Sequence, residues 1–186
     1  MKIVDLTQPL INFPYPGDPE LKIIEKRVDN FIISQITMGS HLSTHIDYPK
    51  HVGLENKISF EDGIIKGKCC CITLDDFEND ELPVCDILLI YTGFSKYWCK
   101  KEYFNRYPKI SVDKIIKSKI KCVGVDACTI GNYDEHKKLL SNNILIIENL
   151  NENLKDLINK EFYFLGLPLK IYDIDASPIR CIAIMD

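Results

Sequence analysis

The stretch Ser40-His41-Leu42-Ser43-Thr44-His45-Ile46-Asp47-Tyr48-Pro49-Lys50-His51 decides how the rest of the chain reads. Of the four histidines in the sequence, three fall inside this segment, together with an aspartate. Imidazole and carboxylate are ligand types for Zn²⁺ and for Mn²⁺ or Fe²⁺. A donor set of nitrogen and oxygen without thiolate usually leaves a coordination position open for water or substrate. A loop that merely collects polar side chains is the competing reading, and spacing alone leaves both open. The segment does not read as a helix, because Thr44 and Ile46 are β-branched and Pro49 pushes Tyr48 out of helical geometry. Gly39-Ser40 reads as a turn. The expectation is a loop leading into a short extended piece, in which His45 and Asp47 point to the same side because strand side chains alternate.

Outward from this segment, 186 residues are enough for one domain with a full core. Apolar residues make up 46% and charged residues 27%, which fits a globular chain. The net charge of −4 comes without a basic stripe, so nucleic-acid binding is not expected. No apolar run approaches the length of a membrane span, and residues 1–5 read as a first strand and not as a signal peptide. Eight cysteines with no C-x-x-C pair argue against a zinc ribbon or a redox dithiol. They point instead to free, mostly buried thiols in a reducing cytoplasm.

Apolar runs predict strands at residues 2–6, 21–25, 31–38, 68–74, 86–91, 121–125, 144–147, 162–165 and 180–184. The run at 86–91 is continuous, as in a strand buried on both faces. A proline-rich loop spans 7–19 with Tyr15-Pro16-Gly17-Asp18-Pro19 as its turn. Residues 52–66 are mostly polar with turn residues, and 97–107 holds a short helix before Pro108. Helices are expected at 111–119, with Ser111 as N-cap, at 136–140, and after Asn151. Strands alternate with helices in the second half, which makes the chain a single α/β domain with a mixed sheet and flanking helices.

Other residues could carry chemistry. His136, taken alone, reads as a surface residue near a helix start. Glu148 ends an apolar run where α/β sheets bind ligands, and carboxylates are rarely buried unless paired or coordinated. It reads equally as a ligand or as a capping acid, and Asp126 shares that ambiguity. No G-x-S-x-G elbow, P-loop or G-x-G-x-x-G occurs, and a Cys–His nucleophile is left open without a local signature.

The segment His41-x-Ser43-Thr44-His45-x-Asp47-x-Pro49-x-His51 resembles the HxGTHxDxPxH signature of the cyclase family, which includes bacterial kynurenine formamidase and isatin hydrolase. Further pieces match in order: Asp5-Leu6-Thr7-Gln8-Pro9-Leu10, Tyr15-Pro16-Gly17-Asp18, Thr92-Gly93, Gly124-Val125-Asp126, Glu148-Asn149-Leu150, Leu167-Pro168-Leu169 and Ser177-Pro178-Ile179-Arg180. Ser43 stands where the signature has glycine, and Tyr15 where the formamidases have tryptophan.

The resemblance implies a swivelling β/β/α fold over residues 1–186 and two-metal hydrolysis, with zinc first and manganese second as the metal. It implies His41, His45, Asp47, His136 and Glu148 as ligands, His51 as the group that moves protons, and Tyr15 against the substrate. The expected reaction is hydrolysis of a small amide, an aryl formamide such as N-formylkynurenine or a cyclic amide, by a metal-activated water between ions about 3.5–4 Å apart. Homodimers or homotetramers are expected, with no nucleic-acid or membrane partner. A non-catalytic metal-binding protein, and a metal-dependent lyase or cyclisation catalyst, are the alternatives.

Overall fold

A computed structural model describes residues 1–55, 63–105 and 107–185. Residues 56–62, which belong to the polar stretch expected at 52–66, lie outside the described residues. The elements run β1 (Lys2–Asp5), β2 (Lys22–Val28), β3 (Phe31–Thr37), β4 (His45–Asp47), β5 (Ile65–Thr73), α1 (Leu74–Asn79), β6 (Ile87–Tyr91), α2 (Val112–Ile116), β7 (Cys122–Val125), α3 (Tyr133–Ser141), β8 (Leu145–Glu148), β9 (Lys160–Pro168) and β10 (Ala176–Met185). Short 3₁₀ turns occupy Pro49–Val52, Ser95–Tyr97, Lys101–Asn105 and Glu152–Leu157.

The apolar runs at β6, β7 and β8 are buried along their length, so they lie at the centre of the sheet. Each fully buried branched aliphatic side chain there contributes about 1.5–3 kcal/mol. β5, β6, β7 and β8 are parallel neighbours, joined by crossovers that carry the three helices. The other pairings are antiparallel: β5 with β9, β9 with β10, β10 with β1 and β4, and β4 with β8. The expected mixed sheet in one domain is present, with few helices. Its arrangement is barrel-like and not specifically the swivelling β/β/α form, because β9 bonds to β5 on one side and to β10 on the other. Following the pairings from β10 through β4, β8, β7, β6, β5 and β9 returns to β10, and β1 lies outside this ring, paired to β10 alone.

Local differences from the expected elements have local causes. α1 is absent from the sequence reading. It is only six residues long and is set by a capping box in which Thr73 and Asp76 satisfy each other's backbone N–H. α2 stops at Ile116, and Ser111 occupies its N-cap without a side-chain hydrogen bond. The segment after Asn151 is 3₁₀, not α, although Asn151 does accept from Asn153 N. All eight cysteines are free, and all but Cys99 are buried. β2 and β3 form a separate hairpin whose residues are all exposed.

Asp126, just past β7, proves to be structural. One carboxylate oxygen accepts from Thr92 N and Thr92 Oγ1, both at 2.6 Å. The other accepts from Gly93 N at 3.0 Å, Ser95 N at 3.2 Å and Ser95 Oγ at 2.9 Å. This buried anion fixes the loop that carries Trp98 and Tyr103. In Asp126→Asn the amide nitrogen would face a backbone N–H whichever way it turned. We expect a loss of about 2–3 kcal/mol, read as a fall in thermal midpoint of roughly 5–10 °C. An unchanged midpoint would show that the loop is held by other contacts.

Candidate metal centre

β4 is three residues long and wholly buried, wedged between β8 and β10. The register places His45 opposite Glu148 and Asp47 opposite Ile146. His45 and Asp47 share one face, as alternation requires, and His45 Nε2 stands 3.4 Å from Asp47 Oδ1 and 3.5 Å from Glu148 Oε2. The turn before β4 passes through Ser43 at φ 64°, the left-handed region that favours glycine. The serine is held there by its hydroxyl, which lies 3.0 Å from the carbonyls of Gln8 and Pro9. Asn149, also left-handed at φ 61°, donates to Ser43 O at 2.9 Å and accepts from the Tyr103 hydroxyl at 2.8 Å. The histidine turn is thus tied to the end of β8.

His136 comes from α3. A capping box fixes the helix start: Asn132 accepts from Asp134 N, and Glu135 accepts from Asn132 N, both at 2.8 Å. One turn later His136 is buried, which corrects the surface position read from the sequence alone. Its Nδ1–H donates to Asn132 O at 2.8 Å, so Nε2 faces Glu148 Oε1 at 3.1 Å and Asp47 Oδ2 at 3.4 Å. His45 is anchored in the same way, Nδ1–H donating to Ser43 O at 2.9 Å. His41 brings Nδ1 to 3.0 Å from Asp47 Oδ1 and Nε2 to 3.1 Å from Asp175 Oδ2. The His51 ring lies 4.3 Å from that of His41 and 5.5 Å from that of His136, centroid to centroid. The structure therefore gathers His41, His45, His51, His136 and Glu148 around the Asp47 carboxylate.

That carboxylate is the test of whether a cation fits. Asp47 is fully buried, and among the described residues neither of its oxygens has a hydrogen-bond partner; nor has His45 Nε2. Such groups are costly to bury unpaired. The lone pairs converge instead on common points: donor atoms of His41, His45 and Asp47, and of Asp47, His51 and His136, lie within 4.8 Å of one another. The nitrogen and oxygen donors suit a divalent ion, and the carbonyl-anchored rings supply the outer-shell hydrogen bonds that such ligands usually carry.

The cluster forms the floor of a cavity of about 400 Å³ whose walls include Phe13, Tyr15, Trp98, Phe104 and Tyr107. Phe104 links them, 4.7 Å from Phe13 and 5.3 Å from Tyr15 between ring centroids. Tyr15 lies in the cavity wall. Phe13, Phe104, Asn149 and Asp175 were not singled out in the sequence. Besides Tyr15, the signal for the wall is the aromatic-rich composition of residues 97–107, and nothing local marks Asp175.

Without a cation the cluster balances its own charges. Burial opposes charge on His45 and His136, but Asp47 and Glu148 outweigh it and raise the two rings to about 10 and about 11. Burial likewise opposes charge on the carboxylates. The imidazoles outweigh it, holding Asp47 well below its usual range and Glu148 at about 2. The raised imidazoles stabilise the fold fully below their ordinary 6.5 and progressively less as pH climbs toward their folded values. The depressed Glu148 stabilises it above its ordinary 4.5 and loses that contribution as pH falls toward 2. Metal-free protein should therefore show its highest thermal midpoint between those two ordinary values. Divalent cations must displace the imidazole protons, so the added stabilisation should grow from about pH 5 to about pH 8. An increment independent of pH would mean that the ion binds elsewhere.

The Cyclase family model matches residues 4–132. A chain of Methanocaldococcus jannaschii named uncharacterized protein MJ0783 is 76% identical over 186 residues, covering 100% of both chains. A kynurenine formamidase of Bacillus cereus is 26% identical, covering 96% of this chain and 95% of its own length. Among solved structures, a "predicted metal-dependent hydrolase" from Bacillus stearothermophilus superposes with a TM-score of 0.79 at 26% identity, over 98% of this chain and 97% of that one. Isatin hydrolase A from Ralstonia solanacearum shares the fold, with a TM-score of 0.77 at 20% identity, over 100% and 92%. With the signature turn, the strands that carry it and the family model in agreement, this chain belongs to the Cyclase family.

Proposed function

We propose that residues 1–186 form one metal-dependent hydrolase domain that cleaves a small amide, either an aryl formamide such as N-formylkynurenine or a cyclic amide. The observation that carries this reading is the Asp47 carboxylate, buried without a hydrogen-bond partner among the described residues and set behind the imidazoles that line an aromatic-walled cavity. His41, His45, Asp47, His136 and Glu148 would hold two divalent ions, zinc first and manganese second. Asp47 belongs to two donor groups, one with His41 and His45 and one with His51 and His136, so it would be the central ligand. Ions bound there supply Lewis acidity, lowering the pKa of a water and polarising the scissile carbonyl.

The protein's own residues do the rest. Phe13, Tyr15 and Phe104 bind a planar group against the wall, and a cavity of about 400 Å³ is within the range for small ligands. Partial burial, aided by the neighbouring His41 and His136 rings, lowers the His51 pKa, which favours the neutral ring that can accept a proton. A His51 ring nitrogen takes the proton from the attacking water as the new C–O bond forms. The same nitrogen returns it to the leaving nitrogen as the C–N bond breaks. Burial and hydrogen bonding hold the other rings still, so His51 is the one placed to exchange protons.

The hairpin supports a homodimer or homotetramer. A lone two-stranded hairpin is marginal in water, yet β2 and β3 expose Phe31 by 73% and Ile32 by 62%, with Ile23, Ile33 and Ile36 beside them. Large exposed apolar patches mark contact surfaces. Among the described residues no helix is long and apolar enough to cross a membrane. Free buried thiols support a cytoplasmic setting.

With metal-loaded protein and aryl formamides, His51→Ala should lower kcat by roughly 10²–10⁴-fold while metal content stays the same. Loss of metal together with activity would make His51 a ligand. Tyr15→Ala should raise KM several-fold with a smaller change in kcat, as for uniform binding. A lower thermal midpoint with KM unchanged would leave Tyr15 only packing its loop. Light scattering after gel filtration should give a mass that is a multiple of 21.4 kDa. A monomer at micromolar concentration would refute the oligomer.

A further inference from the structure

The three histidines that face Asp47 are not anchored alike. His45 and His136 each donate from Nδ1 to a backbone carbonyl, at 2.9 and 2.8 Å, and present Nε2. His41 is turned the other way: Nδ1 faces Asp47, and Nε2 meets the Asp175 carboxylate at 3.1 Å. His41 is also the outermost of the three, its side chain 17% exposed against 3% and 8%. The two inner rings are therefore held by their own loop and helix. The outer ring is held by an anion 134 residues further along the chain.

Asp175 is itself fixed on both sides. Ser40 Oγ donates to its other carboxylate oxygen at 3.0 Å, and its carbonyl accepts from Tyr48 N at 2.9 Å. The second contact docks the start of β10 on the end of β4. We propose that Asp175 is the positioning residue of the metal centre: its carboxylate accepts the His41 Nε2 proton and aims the Nδ1 lone pair at the space beside Asp47. A carboxylate behind a ligating imidazole fixes the tautomer and raises its basicity. Asp175 does not reach that space itself, because the two nitrogens of one ring point away from each other. His41, His51 and Asp175 do lie close enough to form a donor group of their own, so direct ligation is the outcome to exclude. The inference rests on the metal-binding reading above.

The test is competition for Zn²⁺ between a chromogenic chelator and the metal-free full chain, as wild type, Asp175→Ala and Asp175→Asn. Asp175→Ala should weaken Zn²⁺ binding by about 10–100-fold. Asp175→Asn should lose less, because an amide oxygen still accepts from Nε2–H. In Zn²⁺-loaded wild type, imidazole ¹⁵N NMR should find the His41 proton on Nε2 and the His45 and His136 protons on Nδ1. Wild-type affinity in Asp175→Ala, or a His41 proton on Nδ1, would overturn the proposal and leave the metal site intact. Equal losses in both variants would make Asp175 a ligand and overturn its positioning role. Wild type that binds no Zn²⁺ would overturn the metal reading and this inference with it.

Discussion

Everything in this structure answers to one constraint, the burial of the Asp47 and Glu148 carboxylates beside each other. Two like charges out of water are tolerated only when opposite charge surrounds them. Glu148 has partial relief, accepting Ile130 N at 2.7 Å and His136 Nε2 at 3.1 Å. Among the described residues Asp47 has none from hydrogen bonds and relies on the three imidazoles that approach it within 3.0–3.4 Å. Protonated imidazoles can neutralise the cluster. Divalent cations do so with better geometry, since each offers its charge to several lone pairs at once.

The closed sheet serves that constraint. β4 contributes only His45, Ile46 and Asp47, too few residues to hold a register alone, and it is clamped by β8 and β10. Glu148 leaves the carboxyl end of a parallel strand, the usual place for ligands in such sheets. Two left-handed residues, Ser43 and Asn149, turn the chain sharply on either side of the pair and are bonded to each other. The Asp126 loop delivers Tyr103 to Asn149, so the aromatic wall and the donor cluster share one support.

Much of this was legible in the sequence because it is local. Alternation put His45 and Asp47 on one face, and the β-branched residues with Pro49 excluded a helix there. The apolar runs that became β6, β7 and β8 were read nearly to the residue. What stayed hidden depends on pairing across the chain. The closure of β9 onto β10 has no local signal, and neither does the carboxylate of Asp175 behind His41. Asp126 and Glu148 end neighbouring strands and looked alike. Five donors meet Asp126, whereas imidazoles meet Glu148, and only the fold separates them. His136 read as a surface residue because its partners lie on β4 and β8. The family resemblance, not its own neighbourhood, brought it into the site.

The most direct test of the account is anomalous diffraction at the zinc edge from crystals of the protein loaded with Zn²⁺. The account predicts density next to Asp47, with His41, His45 or His136 nitrogens at about 2.0–2.1 Å and Asp47 or Glu148 oxygens at about 2.0–2.2 Å. Fully loaded crystals with no peak there, or with zinc held only by surface groups, would contradict it.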